Sequence, residues 1–121
     1  MQKLTSQEEE VMQSIWKVGE NNIKAFLEQM SEPKPPYTTL ASTIKKLEKK
    51  GYIKSRLIGN VYFFKPFISE QFYKKKFMSS FVQEYFDNSY KEMVTFFIKQ
   101  KKLSAEELKE LINIIEKDKI N

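Results

Sequence analysis

Two residue types are missing altogether from this 121-residue chain: cysteine and histidine. Without cysteine there is no disulfide, no thiolate nucleophile and no thiolate-bound zinc, and a reducing compartment is the expected setting. Without histidine, serine triads, imidazole general bases and zincin motifs cannot be assembled, and no side chain has an unperturbed pKa near 7. Glycine is scarce as well. Gly19, Gly51 and Gly59 are too few for a P-loop or a G-x-G-x-x-G turn, which excludes phosphate cradling by a glycine-rich loop. No run approaches the roughly 18 to 20 apolar residues of a membrane span, and the start, Met1 to Glu10, has no apolar signal-peptide core. A cytoplasmic chain without membrane insertion is expected. The carboxylate clusters Glu8, Glu9, Glu10 and Glu106, Glu107 stand at helix starts, where negative charge meets the positive end of the helix dipole. They have no basic or metal-binding partners nearby in the chain. The protein is therefore expected not to be an enzyme and to need no cofactor or metal.

Acidic residues are also thin in one place. From Lys34 to Lys76 there are eleven basic residues and two acidic ones, Glu48 and Glu70, whereas the rest of the chain carries ten basic and fourteen acidic. The modest net charge of +5 thus conceals a concentrated basic block. Such a block fits a polyanion binder as well as it fits a solvated lysine face, and the scaffold beneath it has to decide. A scaffold is affordable: 40% of the residues are apolar and 17 are aromatic. That suffices for a core burying about 65% of the surface the unfolded chain exposes. The length allows one domain, or a small module with an extension.

Thr5 followed by Glu8 has the spacing of a capping box, and Val11, Met12, Ile15 and Trp16 continue at helical spacing until Gly19. Asn21 is placed to cap a second helix with Ile23, Phe26, Leu27 and Met30, which must end before Pro33, Pro35 and Pro36. A third helix spans Tyr37 to Lys50. Leu40, Ile44 and Leu47 form its apolar stripe, and Thr38, Thr39, Ser42, Lys45, Lys46 and Lys49 occupy the opposite side, with Gly51 closing it. Two β-prone runs, Tyr52 to Ile58 and Val61 to Phe67, flank Gly59-Asn60 and predict a hairpin, Pro66 suiting a strand end. Three helices and a basic hairpin predict a winged helix-turn-helix with the third helix in the recognition position.

The remainder is helical. Ser69 caps a helix with Tyr73, Phe77, Phe81 and Tyr85 on one row and Met78, Val82 and Phe86 on the next, and Asp87-Asn88-Ser89 ends it. A second helix carries Met93, Val94, Phe96, Phe97 and Ile98. A third starts at Ser104 and Glu107 and places Leu108, Leu111, Ile112 and Ile115 at i, i+3, i+4 and i+7. The expected class is mainly α, with a DNA-binding domain over 1–68 and a helical dimerisation region over 69–121. A piece that small covers its apolar faces most readily with a copy of itself, so a homodimer is expected, with Tyr73, Phe77, Phe81, Tyr85, Phe97, Leu108, Leu111, Ile112 and Ile115 at the seam. The competing expectation is a monomer whose helices fold back on the first module.

A helix in the major groove needs short polar side chains near its N-terminus for base edges and cations further along for phosphates. Thr38, Thr39 and Ser42 suit the first task and Lys45, Lys46 and Lys49 the second, with the wing residues Lys54, Arg56 and Lys65 facing the flanking backbone or minor groove. The expected partner is double-stranded DNA carrying an inverted repeat. Two other readings share the fold. In one, the aromatic helices enclose a small hydrophobic effector; in the other, the winged module is a protein-interaction adaptor with no DNA site.

Three segments carry a resemblance: Leu4-Thr-Ser-Gln-Glu-Glu-Glu-Val-Met-Gln-Ser-Ile-Trp16, Tyr37-Thr-Thr-Leu-Ala-Ser-Thr-Ile-Lys-Lys-Leu-Glu-Lys-Lys-Gly51-Tyr-Ile, and Leu103-Ser-Ala-Glu-Glu-Leu-Lys-Glu-Leu. Together they resemble the penicillinase repressor family of the BlaI/MecI type, over about Leu4 to Glu116. The resemblance implies a dimeric winged-helix repressor on a palindromic operator, often that of resistance genes. It also implies relief of repression when a membrane sensor metalloprotease detects a β-lactam and the repressor is cut in its C-terminal helices. The matching stretch is Val94 to Ile98, with Thr95, Phe96 and Phe97 as the cleavage region, although the family's usual Asn before Phe is absent. Lys46 stands where the family often has Arg, which keeps the charge and loses the bidentate fork. A copper-sensing branch uses cysteine pairs that this chain lacks.

Overall fold

The computed structural model describes residues 1–120. Its first helix, α1 (Ser6–Val18), starts where two side chains satisfy each other's backbone. The Glu8 N–H donates to Thr5 Oγ1 at 3.1 Å and the Thr5 N–H donates to Glu8 Oε1 at 2.8 Å. The helix stops at Gly19, whose N–H donates to the Ile15 carbonyl. Helix α2 (Ile23–Gln29) is capped one residue later than the sequence suggested: Asn22 Oδ1 accepts from the Ala25 N–H at 2.9 Å. Asn21 is withdrawn from capping because its backbone pairs with Phe64 in the hairpin. Met30, expected inside α2, is its extended C-terminal cap.

Helix α3 (Tyr37–Lys49) buries Leu40, Ile44 and Leu47 completely. Each contributes about 1.5–3 kcal/mol relative to leaving it in water. The helix ends in a Schellman turn: the Gly51 N–H reaches the Glu48 carbonyl and the Tyr52 N–H reaches the Leu47 carbonyl, both at 3.0 Å. Gly51 takes φ 84°, a conformation that penalises any side chain. Strands β1 (Ile53–Ile58) and β2 (Val61–Pro66) pair antiparallel around Gly59-Asn60, in a register that sets Ile53 opposite Pro66, Lys54 opposite Lys65 and Arg56 opposite Phe63. Ile53 and Phe64 turn inward and Lys54, Arg56 and Lys65 turn outward, as a half-buried ribbon requires.

Three helices and this hairpin close one core from Leu4, Val11, Met12, Ile15, Phe26, Leu40, Ile44, Leu47, Tyr52, Ile53 and Phe64. The expected winged helix-turn-helix is the fold observed. Side chains bind the layers together: Ser14 Oγ donates to the Phe26 carbonyl, Trp16 Nε1 to the Ile68 carbonyl at 2.9 Å, and the Tyr52 hydroxyl to the Gln2 carbonyl.

The chain forms two compact units, the first ending at Lys74 and the second starting at Lys75. The division falls within α4 (Glu70–Phe86), a few residues beyond the expected boundary at 68, because Tyr73 belongs to the first core. Its ring lies 5.4 Å from Trp16 and 6.0 Å from Tyr52, and its hydroxyl donates to Glu9 Oε2 at 2.5 Å.

In the second unit, Asp87 and Asn88 adopt positive φ and end α4, and Ser89 caps α5 (Tyr90–Lys99). Ser104 and Glu107 form a reciprocal box at the start of α6 (Ala105–Ile120). A ladder of rings runs from Phe77 through Phe81, Phe86 and Phe96 to Phe97. Among the described residues of this unit Val82 is the one side chain fully removed from solvent.

Candidate nucleic-acid interface

The stripe that α3 buries determines what it exposes. With Leu40, Ile44 and Leu47 turned into the core, Thr38, Ser42, Lys45, Lys46 and Lys49 are exposed on the far side, and with Tyr37 and Ala41 they line one shallow open concavity along the helix. Thr39 stands off this row, half-buried, and its carbonyl accepts from Thr43 Oγ1 at 3.0 Å. Glu48, the acid on this helix, is engaged by the Ser55 hydroxyl of the wing. The outer face is therefore made of short hydroxyls followed by lysines.

The wing adds cations in fixed register. Lys54 and Lys65 face each other across the strands, and Lys54 Nζ sits 4.1 Å from the centre of the Phe67 ring. Arg56 is engaged within the protein: its Nε–H donates to Glu20 Oε2 at 2.9 Å and its Nη2–H to Oε1 at 2.6 Å. Arg56's hydrogen bonds hold the Glu20 carboxyl below its ordinary value despite the opposing effect of burial, and the Arg56 and Lys65 charges act in the same direction.

Two members of the basic block serve the fold. Lys34 Nζ donates to the Glu28 carbonyl at 2.9 Å. Lys50 Nζ donates to Glu8 Oε1 at 2.6 Å and to the Lys3 carbonyl at 3.0 Å, pinning the N-terminal segment to the end of α3. Burial pushes the Glu8 carboxyl up, but the hydrogen bonds from Lys50 and Thr5, with the Lys50 charge, outweigh it and leave the group below its usual value.

The residues expected at a dimer seam divide between the units. Tyr73 is half-buried in the first, against Trp16 and Tyr52. In the second, Phe77, Tyr85, Leu111, Ile112 and Ile115 are exposed, whereas Phe81, Phe97 and Leu108 are half-buried. Thr95, Phe96 and Phe97 lie within α5, where Thr95 Oγ1 donates to the Lys91 carbonyl at 2.8 Å. Among the described residues no helix is long and apolar enough to cross a membrane, and no group of three or more Asp or Glu side chains is placed to hold a metal ion.

Sequence reasoning did not single out Glu20. No local motif marks it, and only the pairing of Asn21 with Phe64 brings it to the wing.

The sequence model of a family described as Penicillinase repressor matches residues 4–117. The chain is 30% identical over 122 residues to a penicillinase repressor of Bacillus licheniformis, covering 97% of this chain and 92% of that protein. It is 27% identical over 118 residues to the methicillin resistance regulatory protein MecI of Staphylococcus aureus strain N315, covering 95% and 94%. A penicillinase repressor of Staphylococcus aureus is 28% identical over 116 residues, covering 93% and 90%.

Proposed function

This chain belongs to the penicillinase repressor family, and from that membership we propose that it is a transcriptional repressor of the β-lactam-resistance type that binds duplex DNA through α3. The observation that carries the reading is the division of α3 into a fully buried apolar stripe and an exposed row of Thr38, Ser42, Lys45, Lys46 and Lys49. Thr38 and Ser42 lie at the N-terminal end, short enough for base edges to come close, and the lysines lie where phosphates flank the groove. Lys54 and Lys65 extend the cationic surface along the wing. Thr39, half-buried and set back from the row, offers its carbonyl to Thr43 within the helix.

The repressor acts as a homodimer on an inverted repeat. The second unit supports this, since it leaves Phe77, Leu111, Ile112 and Ile115 in water, an apolar surface that a second copy would cover. Repression is relieved by cleavage within Thr95–Phe97 by a membrane sensor metalloprotease.

Footprinting on the DNA upstream of its own gene tests the reading. A protected palindrome with half-sites separated by whole helical turns, about 34 to 36 Å each, is expected. Replacing Lys45 and Lys46 by Ala is expected to weaken specific and nonspecific binding together and to lower the salt slope by about one per lost phosphate contact. Unchanged binding would remove α3 from the groove. Mass spectrometry of the protein from β-lactam-treated cells is expected to find fragments ending between Val94 and Ile98, and an intact chain would exclude the cleavage step while leaving repression standing.

A further inference from the structure

An acidic side chain on a DNA-facing wing calls for a reason, and the backbone puts Glu20 there. The Asn21 N–H donates to the Phe64 carbonyl at 3.1 Å and the Phe64 N–H to the Asn21 carbonyl at 2.8 Å. Continued by one residue, this antiparallel bridge sets Glu20 across from Lys65, which in turn faces Lys54 on β1. Arg56 belongs to the next pair along the same face, and its side chain crosses β2 to meet the Glu20 carboxylate fork to fork, at 2.9 and 2.6 Å. The match is the one a guanidinium makes with a backbone phosphate. It is formed at the surface, with the Arg56 and Glu20 side chains 63% and 27% exposed, so an incoming anion can replace the carboxylate.

We propose that Glu20 is an autoinhibitory residue of the wing: it stands in for a phosphate and keeps Arg56 engaged until a duplex docked by α3 brings a real one. The proposal rests on the DNA-binding reading of α3. In a loosely held, nonspecific complex no phosphate is positioned well enough to replace the carboxylate, and Arg56 stays with Glu20. In the operator complex the contacts of α3 fix the duplex, the exchange takes place, and Arg56 contributes a full phosphate contact. The operator complex therefore carries one phosphate contact more than the nonspecific one, at the cost of breaking the Arg56–Glu20 pair.

Salt dependence reads this directly, because each phosphate contact adds about 0.9 to the slope of log affinity against log salt. The full chain is titrated between 50 and 200 mM salt with two duplexes of equal length, the DNA upstream of its gene and a scrambled sequence. Wild type, Glu20→Gln, Arg56→Gln and the double variant are compared, with far-UV circular dichroism and thermal melts as the control for folding. Glu20→Gln is expected to tighten the scrambled duplex about two- to fivefold and to steepen its slope by about one contact. The upstream duplex is expected to tighten at least as much, since the Arg56–Glu20 pair no longer has to be broken, and to keep its slope. In the Arg56→Gln background the Glu20 change is expected to leave both slopes unchanged. Equal steepening of both slopes, a slope change that persists without Arg56, or no change in either slope would each reduce Glu20 to an ordinary surface charge. A wild-type protein that binds neither duplex, or binds both alike, would overturn the DNA reading itself and this inference with it.

Discussion

Several of the eleven basic residues between Lys34 and Lys76, among them Lys34, Lys50 and Arg56, have partners inside the protein, so charge counted along the chain overstates charge offered to DNA. Lys50 shows what the fold gains. Its ammonium and the Thr5 cap share the buried Glu8 carboxylate, which joins the start of α1 to the end of α3. Replacing Lys50 by Met is expected to cost about 1 kcal/mol in urea unfolding, the low end for an acceptor left short of a partner, because Thr5 remains. The pH dependence follows from the direction of the shift. Glu8 in the folded protein lies below the ordinary value of 4.5, so the unfolded chain takes up the proton first as pH falls. Its stabilisation is complete above that ordinary value and is lost as pH drops through the lower folded one. Glu8→Gln is expected to flatten the acid limb of a stability-against-pH curve and to leave its neutral-to-alkaline side unchanged in shape.

Local chemistry made most elements readable. Thr5 with Glu8 and Ser104 with Glu107 each cap a helix where their spacing placed them, since a cap is satisfied within about one turn of chain. Asn21 and Asn22 are equally good caps in isolation, and the choice went to Asn22 because a long-range strand pairing claimed the backbone of Asn21. The end of α3 is a sharper test of element-level reasoning. A Cβ built on Gly51 meets no atom within 4 Å, so Gly51→Ala involves no clash and isolates the cost of φ 84°. A loss of about 1 kcal/mol in denaturant unfolding is expected. Ile44→Ala, by contrast, opens a cavity under the recognition face and is expected to cost about 2–5 kcal/mol, read by the same unfolding curves.

At the level of the whole protein the two units divide the work. The first has a closed core beneath a cationic face, whereas the second keeps a single fully buried side chain among its described residues and shows Ile112 and Ile115 more than half exposed. Under the proposed dimer, Leu111→Lys with Ile115→Lys is expected to yield monomers in sedimentation velocity and to weaken operator binding far more than nonspecific binding. A species that stays dimeric would move the seam away from α6. With two copies making roughly 6 to 10 phosphate contacts in all, operator affinity is expected to fall on the order of 10³- to 10⁵-fold between 50 and 200 mM salt, measured by fluorescence anisotropy.

Periodicity, caps and turn residues act over a few positions, and they were enough to draw the six helices, the hairpin, the buried stripe of α3 and the polar row opposite it. The excluded chemistries needed even less, since an absent histidine or cysteine cannot be supplied by folding. Partnerships between distant residues were another matter. That Tyr73 closes the first core, that Lys50 holds Glu8 and that Glu20 holds Arg56 depend on segments 64, 42 and 36 residues apart along the chain being brought together. No local pattern encodes such a meeting, because it is the shared core of Met12, Phe26, Ile44 and Tyr52 that sets the angles at which those segments cross.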